Sequence, residues 1–148
     1  LGLGLPLLGE HQSFEMKQPD NPDPLPKYTE LAPAQTERRV VRDLAANITR
    51  YEVLEDTGLF EHPDTGLATR QLREESWAIQ PDDPLSMTGS CTWTCDMQRE
   101  RWSVHTVSTA SIACTKDDWL IKASVKAFDG AKQIFEKNFD RKIPRDLM

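Results

Sequence analysis

Four tryptophans, three cysteines and three histidines are the residues of this sequence best equipped for chemistry. Trp77, Trp93, Trp102 and Trp119 fall on four successive predicted strands, with Met87 and Met97 near them. Stacked aromatics of this kind could hold a sugar or another flat ligand. The competing reading is a core cluster, because large aromatics dominate burial energetics. Cys91, Cys95 and Cys114 could join a histidine around zinc, but zinc sites use closely spaced pairs about a tight turn. No Cys-x-x-Cys or His-x-x-x-His spacing occurs here. The thiols share the Trp93 side of their strands and suit small apolar packing groups.

Nucleophilic catalysis needs an activated Ser or Cys beside a base. His105 alternates with Val104 and Thr106 and therefore points away from the cysteines. His62 sits in a Pro-containing turn, and His11 lies in the leader. There is no Gly-x-Ser-x-Gly elbow and no phosphate-cradling glycine loop. Asp82-Asp83 and Asp117-Asp118 fall in breaks of the pattern, where acidic residues serve as turn formers. No catalytic, metal-binding or cofactor-binding residue is assigned. The aromatic face Trp93, Trp102, Trp119, Met87 and Met97 stands as the candidate ligand or core surface.

The chain has 148 residues, 38% of them hydrophobic, which suits one domain with a modest core. Its net charge of −6 is the wrong sign for binding nucleic acid or an anionic membrane. No run of eighteen apolar residues occurs, so no membrane helix is expected. The three cysteines cannot all pair within one chain. Cys91 and Cys95 would lie about 13 Å apart on one strand, too far for a disulfide. Reduced thiols point to the cytoplasm. Asn47-Ile48-Thr49 matches the glycosylation sequon, which a cytoplasmic setting leaves unused.

The elements that would position these side chains are strands. Residues 1–36 carry little pattern. Leu1 to Leu8 is apolar without a basic flank and reads as a linker, a cloning remnant or a strand end, and the missing initiator Met points to a chain cut from something longer. Pro19, Pro22, Pro24, Pro26 and Pro33 favour an extended linker. From Glu37 the texture changes. Arg39–Leu44 and Ile48–Glu55 flank a turn at Ala45-Ala46-Asn47, Leu59–Glu61 is short, and Ala68–Gln80 is longer. Leu85, Met87, Gly89, Cys91, Trp93, Cys95 and Met97 then alternate with polar residues, which predicts one wet and one buried face.

Hairpin turns at Arg99-Glu100, Thr115–Asp118 and Asp129-Gly130 keep the apolar stripes on one side. The first would set Met97 against Trp102 and Met87 against Ile112. The second would set Cys114 against Trp119. The third, with one bulge, would set Val125 against Phe135 and Ile121 against Phe139. The expected architecture is all-β: an antiparallel meander of about seven or eight strands, curled into a half-barrel or sandwich. Residues 1–36 would form a Pro-rich leader and residues 37–148 the β domain.

The order of several short segments resembles a known family. They are Arg38-Arg39-Val40-Val41-Arg42-Asp43-Leu44, Glu55-Asp56-Thr57-Gly58, Asp64-Thr65-Gly66 and Asp82-Asp83-Pro84-Leu85-Ser86. Trp102-Ser103-Val104 and the ending Phe139-Asp140-Arg141-Lys142-Ile143-Pro144-Arg145-Asp146-Leu147 complete the set. Residues 36–148 thus resemble the C-terminal β-rich region of CocE/NonD-type hydrolases, the cocaine esterase and X-Pro dipeptidyl-peptidase superfamily. That resemblance implies a non-catalytic accessory domain behind an α/β-hydrolase domain that carries a Ser-Asp-His triad. Its partner would be that catalytic domain, with homo-oligomer contacts as a further role. None of the triad falls within this sequence, and the three cysteines on the core strands depart from the family. The alternative is an independent β module that binds a small apolar ligand or dimerises.

Overall fold

The computed structural model describes residues 27–146. The apolar start, His11 and the prolines up to Pro26 lie outside the described residues. So do Leu147 and Met148.

Nine antiparallel strands form one open sheet. They are β1 (Thr29–Ala32), β2 (Gln35–Asp43), β3 (Ile48–Asp56), β4 (Leu59–His62), β5 (Leu67–Gln80), β6 (Asp83–Arg99), β7 (Trp102–Cys114), β8 (Asp118–Asp129) and β9 (Lys132–Pro144). The expected all-β meander is therefore what forms. The sheet is not closed into a barrel, and among the described residues no second sheet packs on it. Every contact between elements joins hydrogen-bonded neighbours.

The count rises to nine because two lanes are each broken by a kink. β3 and β4 lie end to end beside β5, and β2 and β1 continue the same arrangement outside them. Among the described residues, β1 and the first two residues of β2 fall within the segment 1–36 that the sequence reads as leader. Pro33 interrupts one lane without preventing β1 and β2 on either side, since an edge strand tolerates proline.

The two kinks face each other at Gly58. Its φ of +76° is a left-handed conformation that favours glycine. A Cβ there would run into the Ala32 carbonyl and approach Ala34 N and Pro33 C at 2.8 Å. Asp56 fastens the same point. Its carboxylate accepts from Gly58 N at 2.9 Å and takes both arms of Arg70 on β5, with Nε at 2.9 Å. Asp56-Thr57-Gly58 thus acts as an inter-strand clasp as well as a turn.

Register separates what alternation can decide from what it cannot. The Thr115–Asp118 loop pairs Cys114 with Trp119, Ile112 with Ile121 and Ala110 with Ala123, as expected. The preceding turn is centred one residue later than expected. Glu100 takes the positive φ of 54°, Arg99 opposes Trp102, and Met97 opposes Val104. Ile112 therefore meets Gly89 in place of Met87. The last hairpin does carry a bulge, between Ala127 and Phe128, but its turn also falls one residue later. Phe135 opposes Ala127 and Phe139 opposes Ala123. Both displacements are by two residues in pairing, so every side chain keeps its predicted face.

The Arg70 guanidinium and the Gly58 N–H hold the Asp56 carboxyl below the usual carboxylate range. A depressed folded-state pKa contributes stability above the unfolded value near 3.9 and loses it as pH falls through the folded value. Asp56→Asn should lower stability at neutral pH by about 1–2 kcal/mol, limited because Arg70 is open to solvent. The deficit relative to wild type should shrink below pH 4 in urea melts. A deficit constant with pH would assign the effect to packing alone.

Candidate functional site

Registers propagated from β2 to β9 place every strand residue on one of two faces. Val40, Tyr51, Trp77, Gly89, Ile112 and Ile121 form one continuous row across the sheet. The neighbouring rows carry Val53, Cys91, Ala110, Ala123 and Phe139, and then Trp93 and Val125. This is the apolar face. All four tryptophans, all three cysteines and Met97 lie on it. Met87 follows Gly89 by two residues in the same alternation.

The aromatic cluster lies on one face, and among the described residues nothing covers it. Trp77 and Trp93 are each 42% exposed and Trp102 is 46% exposed. Among the described residues only Val53 and Ala68 are buried hydrophobics. Burial requires a second layer, and the meander supplies none. Trp119 is half-buried, with the Arg145 guanidinium over its ring at 4.8 Å. Trp77 lies across Gly89, where a Cβ would come within 2.5 Å of the indole and 3.0 Å of Ile112 Cγ2. The missing side chain lets the ring lie flat on the sheet.

The opposite face is polar. Ser90 aligns with Ser111, and Thr92 with Thr109 and Ser124. The Thr109 and Ser124 hydroxyls hydrogen-bond at 2.8 Å. A groove of about 480 Å³ runs along these residues past Lys122, Asn138 and Asp140. A second, of about 530 Å³, lies over β2, β3 and β5 between Glu37, Arg39, Glu52 and Glu74. The larger hollows are thus lined by hydroxyls and charges. The apolar side has a shallow depression of about 130 Å³ between Trp77, Gly89, Cys91, Ala110, Ile112 and Ile121, another of about 210 Å³ beside Glu55, Arg73 and Trp93, and one of about 420 Å³ beside Tyr28, Phe60 and His62 at the end of the sheet.

The histidines and thiols are kept apart by this geometry. His105 is on the polar face, stacked flat on Phe128 with ring centroids 4.3 Å apart. His62 meets Tyr28 edge-on at 4.8 Å. Cys91 is on the other side of the sheet. Burial pushes its thiol pKa up, and the Glu75 carboxylate opposite adds to this. A raised pKa withholds the thiolate that a nucleophile needs. Cys114 Sγ lies 3.7 Å from the Leu85 carbonyl oxygen. All three thiols are free. No cluster of three or more metal-ligating side chains forms among the described residues. Nor is any helix there long and apolar enough to cross a membrane.

Sequence reasoning missed how far the apolar face extends and what surrounds it. Tyr51 and Val53 join it through pairing with Trp77 and Glu75, which strand alternation alone does not reveal. Charged residues on the same face include Arg38, Glu55, Arg73 and Glu75, linked as Arg38–Glu55, Arg73–Glu55 and Arg73–Glu75 ion pairs. Compared with protein-family models, curated proteins and solved structures, the chain matches none.

Replacing Gly89 by valine should lift the Trp77 indole off the strand. Stability should fall by about 1–3 kcal/mol in denaturant melts, the usual cost of overpacking. Tryptophan emission should also become easier to quench with acrylamide. Unchanged quenching and stability would mean that Trp77 does not rest on Gly89.

Proposed function

We propose that this chain is a non-catalytic accessory β domain of a serine acyl or peptidyl hydrolase. Its work is to offer a broad apolar face to the catalytic domain of the same polypeptide. One observation carries the docking role: among the described residues nothing covers the tryptophan face of a sheet with long strands, while isolated domains bury such a face against a second layer. The hydrolase assignment is drawn from the segment-order resemblance. The separation of His105 from the thiols and the raised Cys91 pKa support a role without catalysis in this chain. Three free thiols fit a cytoplasmic location.

The alternative of a small apolar ligand is favoured less by the geometry. Ligand sites typically enclose about 300–1,000 Å³. The depressions beside Trp77 and Trp93 hold about 130 Å³ and about 210 Å³, and the one of about 420 Å³ beside Phe60 lies at the end of the sheet, away from the tryptophans. A broad and shallow apolar surface suits a broad partner better than a small molecule.

The test is hydrolysis of short-chain nitrophenyl esters and X-Pro arylamides, with and without a serine-directed inhibitor. The 148-residue chain should show no turnover, and the complete product of its gene should show inhibitor-sensitive turnover. Inhibitor-sensitive turnover by the chain alone, surviving repurification, would overturn the non-catalytic assignment. A complete gene product without hydrolase activity would remove the parent enzyme.

A further inference from the structure

The apolar face has a charge pattern that narrows its occupant. Glu55 is held by Arg38 and Arg73, and Glu75 by Arg73. Asp129 stands opposite Lys132. Glu30, placed on this face by its pairing with Phe60, and Asp129 make no ion pair among the described residues. Asp83 lies where the β5–β6 register shifts, and it caps the Leu85 N–H at 3.0 Å. Five exposed cations of the face, Arg42, Arg99, Lys132, Lys137 and Arg141, make no ion pair among the described residues and outnumber its unpaired carboxylates Glu30, Asp83 and Asp129.

Their positions form a perimeter. Arg42 is on β2, the strand outside β3, and Arg99 ends β6. Lys132, Lys137 and Arg141 are on β9, the opposite edge. Between them lie Trp77, Trp93, Ile112 and Ile121. A chain whose net charge is −6 therefore turns a basic rim and an apolar centre to one side.

We infer that this face seats a folded protein surface that is apolar at its centre and acidic at its rim. The span from β5 to β9 is about 24 Å wide and about 40 Å long by ordinary sheet spacings, or about 1,000 Å². A stable interface needs about 800 Å² per partner. A second copy stacked face to face would bring one basic rim against another, and like charges across an interface cost affinity. An anionic lipid surface would meet the cations, but it would also press Glu55 and Glu75 against its headgroups and repel a chain of net negative charge. The accessory-domain reading supplies only the partner's identity, as the catalytic domain of the same polypeptide.

The thiols of this face give the readout. In the complete gene product, maleimide modification of Cys91 and Cys95 should be slow at 50 mM salt and faster at 1 M, where screening weakens rim contacts. The fourfold variant Arg42→Glu, Arg99→Glu, Lys137→Glu and Arg141→Glu should label at least tenfold faster at low salt. The corresponding fourfold glutamine variant should fall between. Far-UV circular dichroism checks that each variant keeps its sheet. Labelling that responds to neither charge reversal nor salt would overturn the inference. So would a homodimer in sedimentation that the glutamine variant strengthens, since that makes a second copy the occupant. Binding to phosphatidylserine vesicles by wild type and not by the glutamate variant would assign the face to a membrane instead. If the gene product contains no hydrolase domain but the charge response persists, the parent-enzyme reading falls while the acidic-rimmed partner stands.

Discussion

Backbone hydrogen bonding organises this molecule: β2 and β3, and then every strand from β4 to β9, lie directly beside their sequence neighbours, while β1 pairs β4 and β3 pairs β5. Among the described residues, contacts between elements run only between hydrogen-bonded neighbours, and no element reaches over the sheet to touch another. Ladder bonds are individually modest, about 0.5–1.5 kcal/mol net, since the unfolded chain makes equivalent bonds to water. Burial of apolar area normally stabilises a domain more than its ladders do. Here it is confined to the crevices between side chains of one layer, with Val53 and Ala68 as the buried hydrophobic residues among those described. Among the described residues, little apolar area is therefore buried between layers.

The clasp around Asp56 shows how a local signal becomes a long-range one. Gly58 gives way where the β1–β2 lane presses on it, and the carboxylate next to it is pinned by Arg70 from β5. Three neighbouring lanes are therefore aligned at one point, near the end of the sheet where strands are shortest. At the far edge β9 runs unbroken from Lys132 to Pro144 with every residue exposed. Its charged side chains, Lys137 and Arg141 among them, are the usual means by which an open edge resists pairing with another chain. The same residues complete the basic rim of the apolar face.

Two-sidedness also keeps His105 apart from the thiols. A strand sends alternate side chains to opposite faces. His105 and the cysteines differ in parity once the registers are aligned, so the sheet itself stands between base and nucleophile. The polar face collects hydroxyls, which suits solvent contact, and the apolar face collects aromatics, which suits contact with a partner. A role through surfaces follows more readily from this division than a role through a pocket.

Much of this was legible in the sequence, because alternation is a local property. Leu85 to Met97 and Trp102 to Cys114 declare their dry sides without help, and Asp129-Gly130 and Thr115–Asp118 mark where the chain reverses. Pairing partners were less legible. Moving Met97 from Trp102 to Val104 preserves both stripes, so hydrophobic pattern cannot distinguish registers two residues apart, and turn geometry at Glu100 decides. The rim was hidden for a related reason. Arg42, Arg99, Lys137 and Arg141 are far apart in sequence and share a face only through the pairings of the whole sheet. The sequence by itself determined the strands from β2 onward and which side of β6, β7 and β8 is apolar. Only the tertiary structure decided that no layer from the described residues covers that side, because a strand's alternation is the same whether its dry face meets its own chain or another surface.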